Sequence, residues 1–490
     1  MQNGSDLLWS DIMSEFDVAS AAVQAALDAG ATYADARVMQ RRYESMVARN
    51  GEIEDLGQNG DAGVGVRALV GSGWGFFALP DLTDAAARTA GVTAAEIATA
   101  SAQVSRGDIR LVESDPVTGS WANDIEVDPF EVSLADKGDL LAEATATMRE
   151  HGADVAEGHY QIWETAKWFV SSDGHRIDQR VREAGAGIMA TAIGDGETQR
   201  RSYPAARGQY GTRGWELVRD LDLVGNAARV ADEARALLSA PPCPSGETTL
   251  ILGAEQMALQ IHESVGHAIE LDRILGWEAA YAGTSWLDLD QLGSLRYGSE
   301  LMNITIDPTI PGALGSFGFD DEGTPAAGHD AVREGMWVGV LAGRDSASVA
   351  GLDYAGSVRC DGWARLPMVR MTNVGLEPGP HTLEEMIVAT DDGIFMDTNR
   401  SWSIDDRRLN FQFGCEVGYE IKNGQLGRLL RNPTYTGIGP TFWRSMDMLS
   451  SETEPWGTPN CGKGQPGQIG HTGHPAAPAR FRNVRVGVRA

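Results

Sequence analysis

The stretch Pro241-Pro242-Cys243-Pro244-Ser245-Gly246 limits most strongly how this chain of 490 residues can fold. Its three prolines remove backbone donors and fix the backbone, so neither a helix nor an interior strand can pass through it. A chain this long is two to three times the usual domain of roughly 100–200 residues, and the break falls near its middle. The expectation is an α+β protein. Residues 1–240 should form an N-terminal α/β domain, and residues 247–490 a β-rich C-terminal domain, barrel or sandwich, with one long helix near its start.

Within the first half, residues 18–29 carry apolar positions at helical spacing and stop at Gly30. Residues 33–49 and 62–78 contain short apolar alternations punctuated by Gly51, Gly60, Gly63, Gly65, Gly71, Gly73 and Gly75, a pattern of strands and tight turns. The Ala-rich segment 82–104 and residues 134–150 read as helices. Residues 162–172 run into Asp173-Gly174, a favoured hairpin turn, and a returning strand over 176–181. Beyond Gly276 the chain is Gly-rich with short strand-like segments, and residues 383–388 are a short helix.

A hydrophobic fraction of 42% and a charged fraction of 22% are those of a globular protein. No run approaches the ~20 apolar residues that span a membrane. The net charge of −29 argues against a nucleic-acid partner, which requires clustered Lys and Arg. It reads as solubility, with a preference for basic or neutral peptides as the sharper alternative. Residues 1–17 hold Asp6, Asp11, Glu15 and Asp17 and no Lys or Arg, so no secretory signal is expected. Four scattered cysteines favour a reducing compartment, the cytoplasm.

The chemistry concentrates after a buried strand at 248–253, on a helix predicted over 254–275 that ends at Gly276. It carries His262, Glu263 and His267, two neutral nitrogen ligands for a metal and a carboxylate able to take a proton from water. The histidines are five apart. At ~100° per residue that leaves them ~140° apart on a regular helix, but a π-type turn returns them to one face. Gly266 tolerates such a distortion. Glu270 and Asp272 follow at spacings that allow them to accept the outer ring proton of a ligand histidine, or to be surface acids.

A catalytic zinc site takes a third protein ligand. Cys461, Cys415, His471 and His474 are the alternatives, whereas Cys243 and Cys360 read as small buried residues. Cys415 lies in an alternating apolar run and has a packing explanation. Cys461 sits in a predicted loop with no evident core, and Lys463 two residues on is placed to stabilise a thiolate. The two histidines read as residues of a Gly/Pro-rich tail.

His262-Glu263-Ser264-Val265-Gly266-His267, continuing as Ala268-Ile269-Glu270-Leu271-Asp272, resembles the signature helix of the TldD peptidases. Further segments are similar in the same order: Gly63-Val64-Gly65-Val66-Arg67, Trp74-Gly75-Phe76, Phe319-Asp320-Asp321-Glu322-Gly323-Thr324-Pro325-Ala326, Asn410-Phe411-Gln412-Phe413 and Cys461-Gly462-Lys463. The resemblance implies one zinc ion, with Cys461 completing the set of His262 and His267. It also implies Glu263 as general base and hydrolysis of unfolded or leader peptides. A heterodimer with a TldE-like subunit is implied as well, or else a homodimer, this chain being of the catalytic kind. A small-molecule amide hydrolase or tailoring enzyme of secondary metabolism is the alternative on the same fold. A non-catalytic binding subunit is disfavoured by the intact Glu263.

Overall fold

The computed structural model describes residues 13–105, 107, 109–194 and 196–487, so most of the acidic segment 1–17 lies outside the described residues. Helix α1 (Glu15–Asp28) starts where Ser14 accepts the amide of Asp17, and α2 (Asp84–Ala102) where Thr83 accepts that of Ala86. Helix α3 (Leu134–Glu150) is capped by Ser133 in the same way. Such caps satisfy amides that the first helical turn leaves unpaired. Helices α4 (Trp215–Asp220) and α5 (Leu223–Ser239) complete this half.

These helices cover one face of an eight-stranded sheet. Its strands are β1 (Tyr33–Arg49), β2 (Glu52–Val70), β3 (Gly73–Leu79), β4 (Thr118–Ala122), β5 (Val155–Ser171), β6 (Arg176–Gly194), β7 (Glu197–Tyr203) and β8 (Gln209–Gly211). The order is β3-β2-β1-β5-β6-β4, with β7 and β8 also on β6; only β4 runs parallel to its neighbour. Because side chains alternate along a strand, Ala34, Ala36 and Val38 of β1 pack under α1 and α2, and Met46 and Ala48 under α3 and α5. The opposite face, with Arg41, Tyr43, Trp163 and Lys167, turns toward the C-terminal half.

Residues 33–49 form β1 as expected and turns fall at Gly51 and Gly71, but Gly60, Gly63 and Gly65 lie inside the 19-residue β2 and not at turns. Gly63 and Gly65 lie within β2, where an added Cβ would come 2.3 Å from the Trp363 ring and 2.2 Å from its carbonyl oxygen. Their role is close approach of the other half. Buried ion pairs join the two halves at the same place: Arg67, held by Asp35 of its own sheet at 2.7 Å, reaches Glu322 at 3.0 Å, and Lys167 pairs with Asp321.

The C-terminal half begins with β9 (Gly246–Leu252). Strands 392–404, β9, 479–486, 434–438 and 410–422 pair in that order, and the last pairs back with the first. This closes a five-stranded barrel, which removes exposed sheet edges. Phe411, Phe413, Tyr435, Phe442 and Phe481 fill it, with the Phe442 and Phe481 rings stacked 4.0 Å apart. Among the described residues no helix is long and apolar enough to cross a membrane.

Candidate metal centre

Helix α6 (Ala254–Ile261) leaves β9 and lies against the barrel through a polar stripe. Gln256 donates to the Tyr435 hydroxyl at 2.8 Å, Tyr435 donates to Gln260 at 3.0 Å, and Trp443 Nε1 donates to Ser264 Oγ at 2.9 Å. The expected continuous helix over 254–275 is corrected. A π turn spans His262–Gly266, where the His267 amide donates to the His262 carbonyl at 3.1 Å. The chain then leaves helical geometry, because Ile269 and Leu271 exchange backbone hydrogen bonds with Leu341, and a four-residue helix, Leu271–Ile274, follows.

The wider turn puts both histidines on one face, with ring centroids 4.8 Å apart. Cys461 Sγ lies 3.6 Å from His267 Nε2, and donor atoms of His262, His267 and Cys461 all fall within 4.8 Å of one another. Tetrahedral zinc with bonds of about 2.0 Å to nitrogen and 2.3 Å to sulfur sets those two ligand types about 3.6 Å apart, so the donor set fits such an ion.

Cys461 is not in a loop. It lies buried on strand Glu454–Lys463, paired with strand Gln468–Ala476 through a bulge between Thr458 and Cys461. Nor does Lys463 serve the thiol, because its ammonium donates to Asp272 and to the Val369 carbonyl, both at 2.8 Å. Asp272 is thereby spent on Lys463, and the reading of it as an acceptor for a histidine ring is corrected. Glu270 does take that place, accepting from His267 Nδ1 at 2.9 Å.

His474, read from sequence as a tail residue, is fully buried on strand Gln468–Ala476. Its Nδ1 lies 3.0 Å from the Val374 carbonyl, which only a donor can satisfy, so its Nε2 accepts from His262 Nδ1 at 2.8 Å. Hydrogen bonding thus assigns His262 and His267 the same tautomer, with the Nε2 lone pair free. Burial lowers the pKa of both rings. Burial opposes ionisation of the Cys461 thiol, but His267 and the Arg370 guanidinium outweigh it, and the thiol lies below its ordinary value. Two buried imidazoles that resist protonation, beside a thiol that ionises more readily than usual, are the chemistry of a metal-ligand set.

Glu263, also buried, accepts from Arg408 Nη1 at 2.8 Å. A cavity of about 310 Å³ opens over these groups, lined by Glu255, Asn399, Trp402, Trp456 and Asn460 as well. At Ala206, Arg207, Pro459 and Asn460 it meets a cleft of about 940 Å³ between the N-terminal sheet and the C-terminal half. Cys415 lies instead in the barrel core, and Cys243 and Cys360 are half-buried outside the donor group. His471 pairs with Glu183 at 2.8 Å on the cleft wall. The stripe Gln256, Gln260 and Ser264 is legible at helical spacing, whereas Arg408 and Arg370 carry no local signal.

Three domain models match the chain in order: PmbA/TldA metallopeptidase domain 1 over residues 34–100, the central domain over 127–238 and the C-terminal domain over 245–487. The chain belongs to the PmbA/TldD metallopeptidase family. Like the curated relatives of this family, it is a metalloprotease. A metalloprotease from Methanocaldococcus jannaschii is 28% identical over 90% of this chain and 94% of its own length. A TldD homolog from Haemophilus influenzae is 26% identical over 91% of each chain. A relative from Saccharolobus solfataricus, 24% identical over 42% of this chain and 45% of its own, is named a zinc metalloprotease TldD homolog. The crystal structure of TldE from Thermococcus kodakarensis has the same fold, with a TM-score of 0.70 at 17% identity over 95% of this chain and 98% of that one.

Proposed function

We propose that this metalloprotease binds one zinc ion through His262, His267 and Cys461 and hydrolyses unfolded or leader peptides with Glu263 as general base. The observation that carries the reading is the convergence of the three donors and Glu263 in one buried pocket that meets a much larger cleft. The name of the Saccharolobus solfataricus relative supports zinc as the metal. Bound zinc would supply Lewis acidity toward water and the scissile carbonyl.

The chain's own groups do the rest. His474 and Glu270 hold the two imidazoles in the ligand tautomer. Arg408 fixes the Glu263 carboxylate, which takes the proton of the attacking water and passes it to the leaving amine. The surrounding apolar walls of Trp402 and Trp456 limit bulk water.

The substrate enters as an extended strand. Among the described residues strand Glu454–Lys463 pairs with one strand only; Gln209 holds the backbone of Pro455 and Gly457, Pro455 and Pro459 are placed as in edge strands, and the strand lines the pocket from Trp456 to Gly462. A peptide added to its free edge crosses the metal pocket, held by main-chain hydrogen bonds that favour no particular side chain. Amide hydrogen exchange should slow in 458–462 when a peptide binds; unchanged exchange there removes the added-strand reading.

A TldE-like subunit is the proposed partner, supported by the shared fold with TldE. The test of function uses the purified full chain, alone and with a co-encoded paralogue, against a peptide library read by mass spectrometry. Cleavage with close to one zinc per chain is expected. Cleavage of a single metabolite amide and of no peptide would replace this reading with the small-molecule one.

A further inference from the structure

On the cleft side of Cys461 stand two guanidiniums that form no salt bridge with a carboxylate among the described residues. Arg370 is 2% exposed; its Nη1 donates to the Gln468 carbonyl at 3.2 Å and its Nη2 to the carbonyl of Cys461. Arg359 Nη2 donates to the His471 carbonyl at 2.7 Å and to that of Met371. Both Nε atoms are buried without a partner, and both side chains line the 940 Å³ cleft.

The other cations buried or half-buried in this cleft are neutralised. Arg41 pairs with Asp61 and Asp361 and Lys167 with Asp321, and the exposed Arg42 pairs with Glu164. Among the described residues no carboxylate lies within 4 Å of Arg359 or Arg370. The nearer acids are engaged elsewhere, Glu183 by His471 and Asp321 by Lys167. Burial and the charge of Arg370 push the Arg359 pKa down to about 10, the direction expected of like charges held together. Buried charges are ordinarily paired, and carbonyl partners satisfy donors without neutralising charge. Two adjacent planar guanidiniums with free donors match a carboxylate, which accepts such donors two at a time.

We propose that Arg359 and Arg370 form a subsite for a carboxylate of the substrate peptide, either an acidic side chain or the peptide's C-terminus. The subsite abuts the backbone of Cys461, so it anchors the peptide beside the bond to be cut and sets which bond lies over the metal pocket. This rests on the reading of the substrate as a peptide.

The test is a competition measurement on the zinc-loaded full chain with a labelled hexapeptide. Four unlabelled competitors share its sequence and differ only in Glu against Gln and in C-terminal acid against amide. A carboxylate should improve competition about tenfold, as charge-assisted hydrogen bonds do, and the pair that discriminates identifies its source. Arg359→Gln should bring that ratio close to one, and Arg359→Lys should keep part of it. Each ratio is internal to one protein, so a loss of metal or stability in a variant does not imitate the result.

Equal competition by all four peptides in the parent chain overturns the proposal, as does failure of the labelled peptide to bind. A ratio unchanged in Arg359→Gln overturns it too, and if that variant does not fold the parent chain decides. Discrimination in binding without any cleavage would sink the peptidase reading and leave the subsite. Cleavage without discrimination would do the reverse.

Discussion

His262 is a usable ligand because His474 holds its Nδ1 proton, and His267 because Glu270 holds its own. Removing either support by His474→Ala or Glu270→Gln should weaken zinc binding by about 10–100-fold in a chelator competition, the usual effect of partners behind a ligand. Native affinity in both variants would mean that the rings are oriented by packing alone. Glu263→Gln keeps size and leaves all three donors intact, so peptide cleavage should vanish while zinc content stays close to one per chain. Near-native turnover would end its assignment as base. For the third donor, Cys461→Ser should lose most of the zinc and Cys415→Ser little, since Cys415 points into the barrel core. The opposite pattern in metal analysis would reassign the ligand.

At the scale of one element, the π turn was legible because histidines five apart beside a glycine fit one metal only if the helix widens there. The reason for Gly266 was not legible. Its φ is not positive, and what excludes a side chain is space: a Cβ would lie 2.1 Å from Met371 Sδ, which is fully buried. Gly266→Ala should therefore destabilise the fold by about 1–3 kcal/mol, the cost of overpacking, and loosen zinc. Met371→Ala in the same chain should recover part of both in thermal unfolding and metal titration; no recovery would locate the strain in the backbone instead. Strand Glu454–Lys463 escaped the sequence reading because two prolines and two glycines mask its alternation, and only pairing with Gln468–Ala476 makes it a strand.

Across the whole molecule, the cleft exists because the N-terminal sheet docks on the C-terminal half through buried charge. Arg67→Met takes from Glu322 the cation it pairs with and leaves Asp35 only Arg37, at 3.3 Å, and breaking such a buried pair costs about 3–5 kcal/mol. Denaturant unfolding should show a loss of that size, and a loss below 1 kcal/mol on this ~3–5 scale would mean the docking is apolar. Burial alone would raise the Asp321 carboxyl, but Lys167 and Arg37 outweigh it and hold it at about 2, below its ordinary 3.8. A depressed carboxyl stabilises the fold fully above its unfolded value and less as pH falls toward the folded one. Acid unfolding of the parent chain should thus include a contribution between about pH 4 and 2 that Asp321→Asn lacks.

Sequence by itself determined the chemistry and its local frame: two imidazoles and a carboxylate on a helix that must widen, the span 134–150 of helix α3, and a β-rich second half. These are short-range matters of spacing, capping and propensity. Tertiary structure alone decided that His474 fixes a tautomer, that Lys463 serves Asp272, and that Arg359 and Arg370 stand without a carboxylate partner. Each joins residues far apart in the chain, and no local pattern encodes a distance that folding creates.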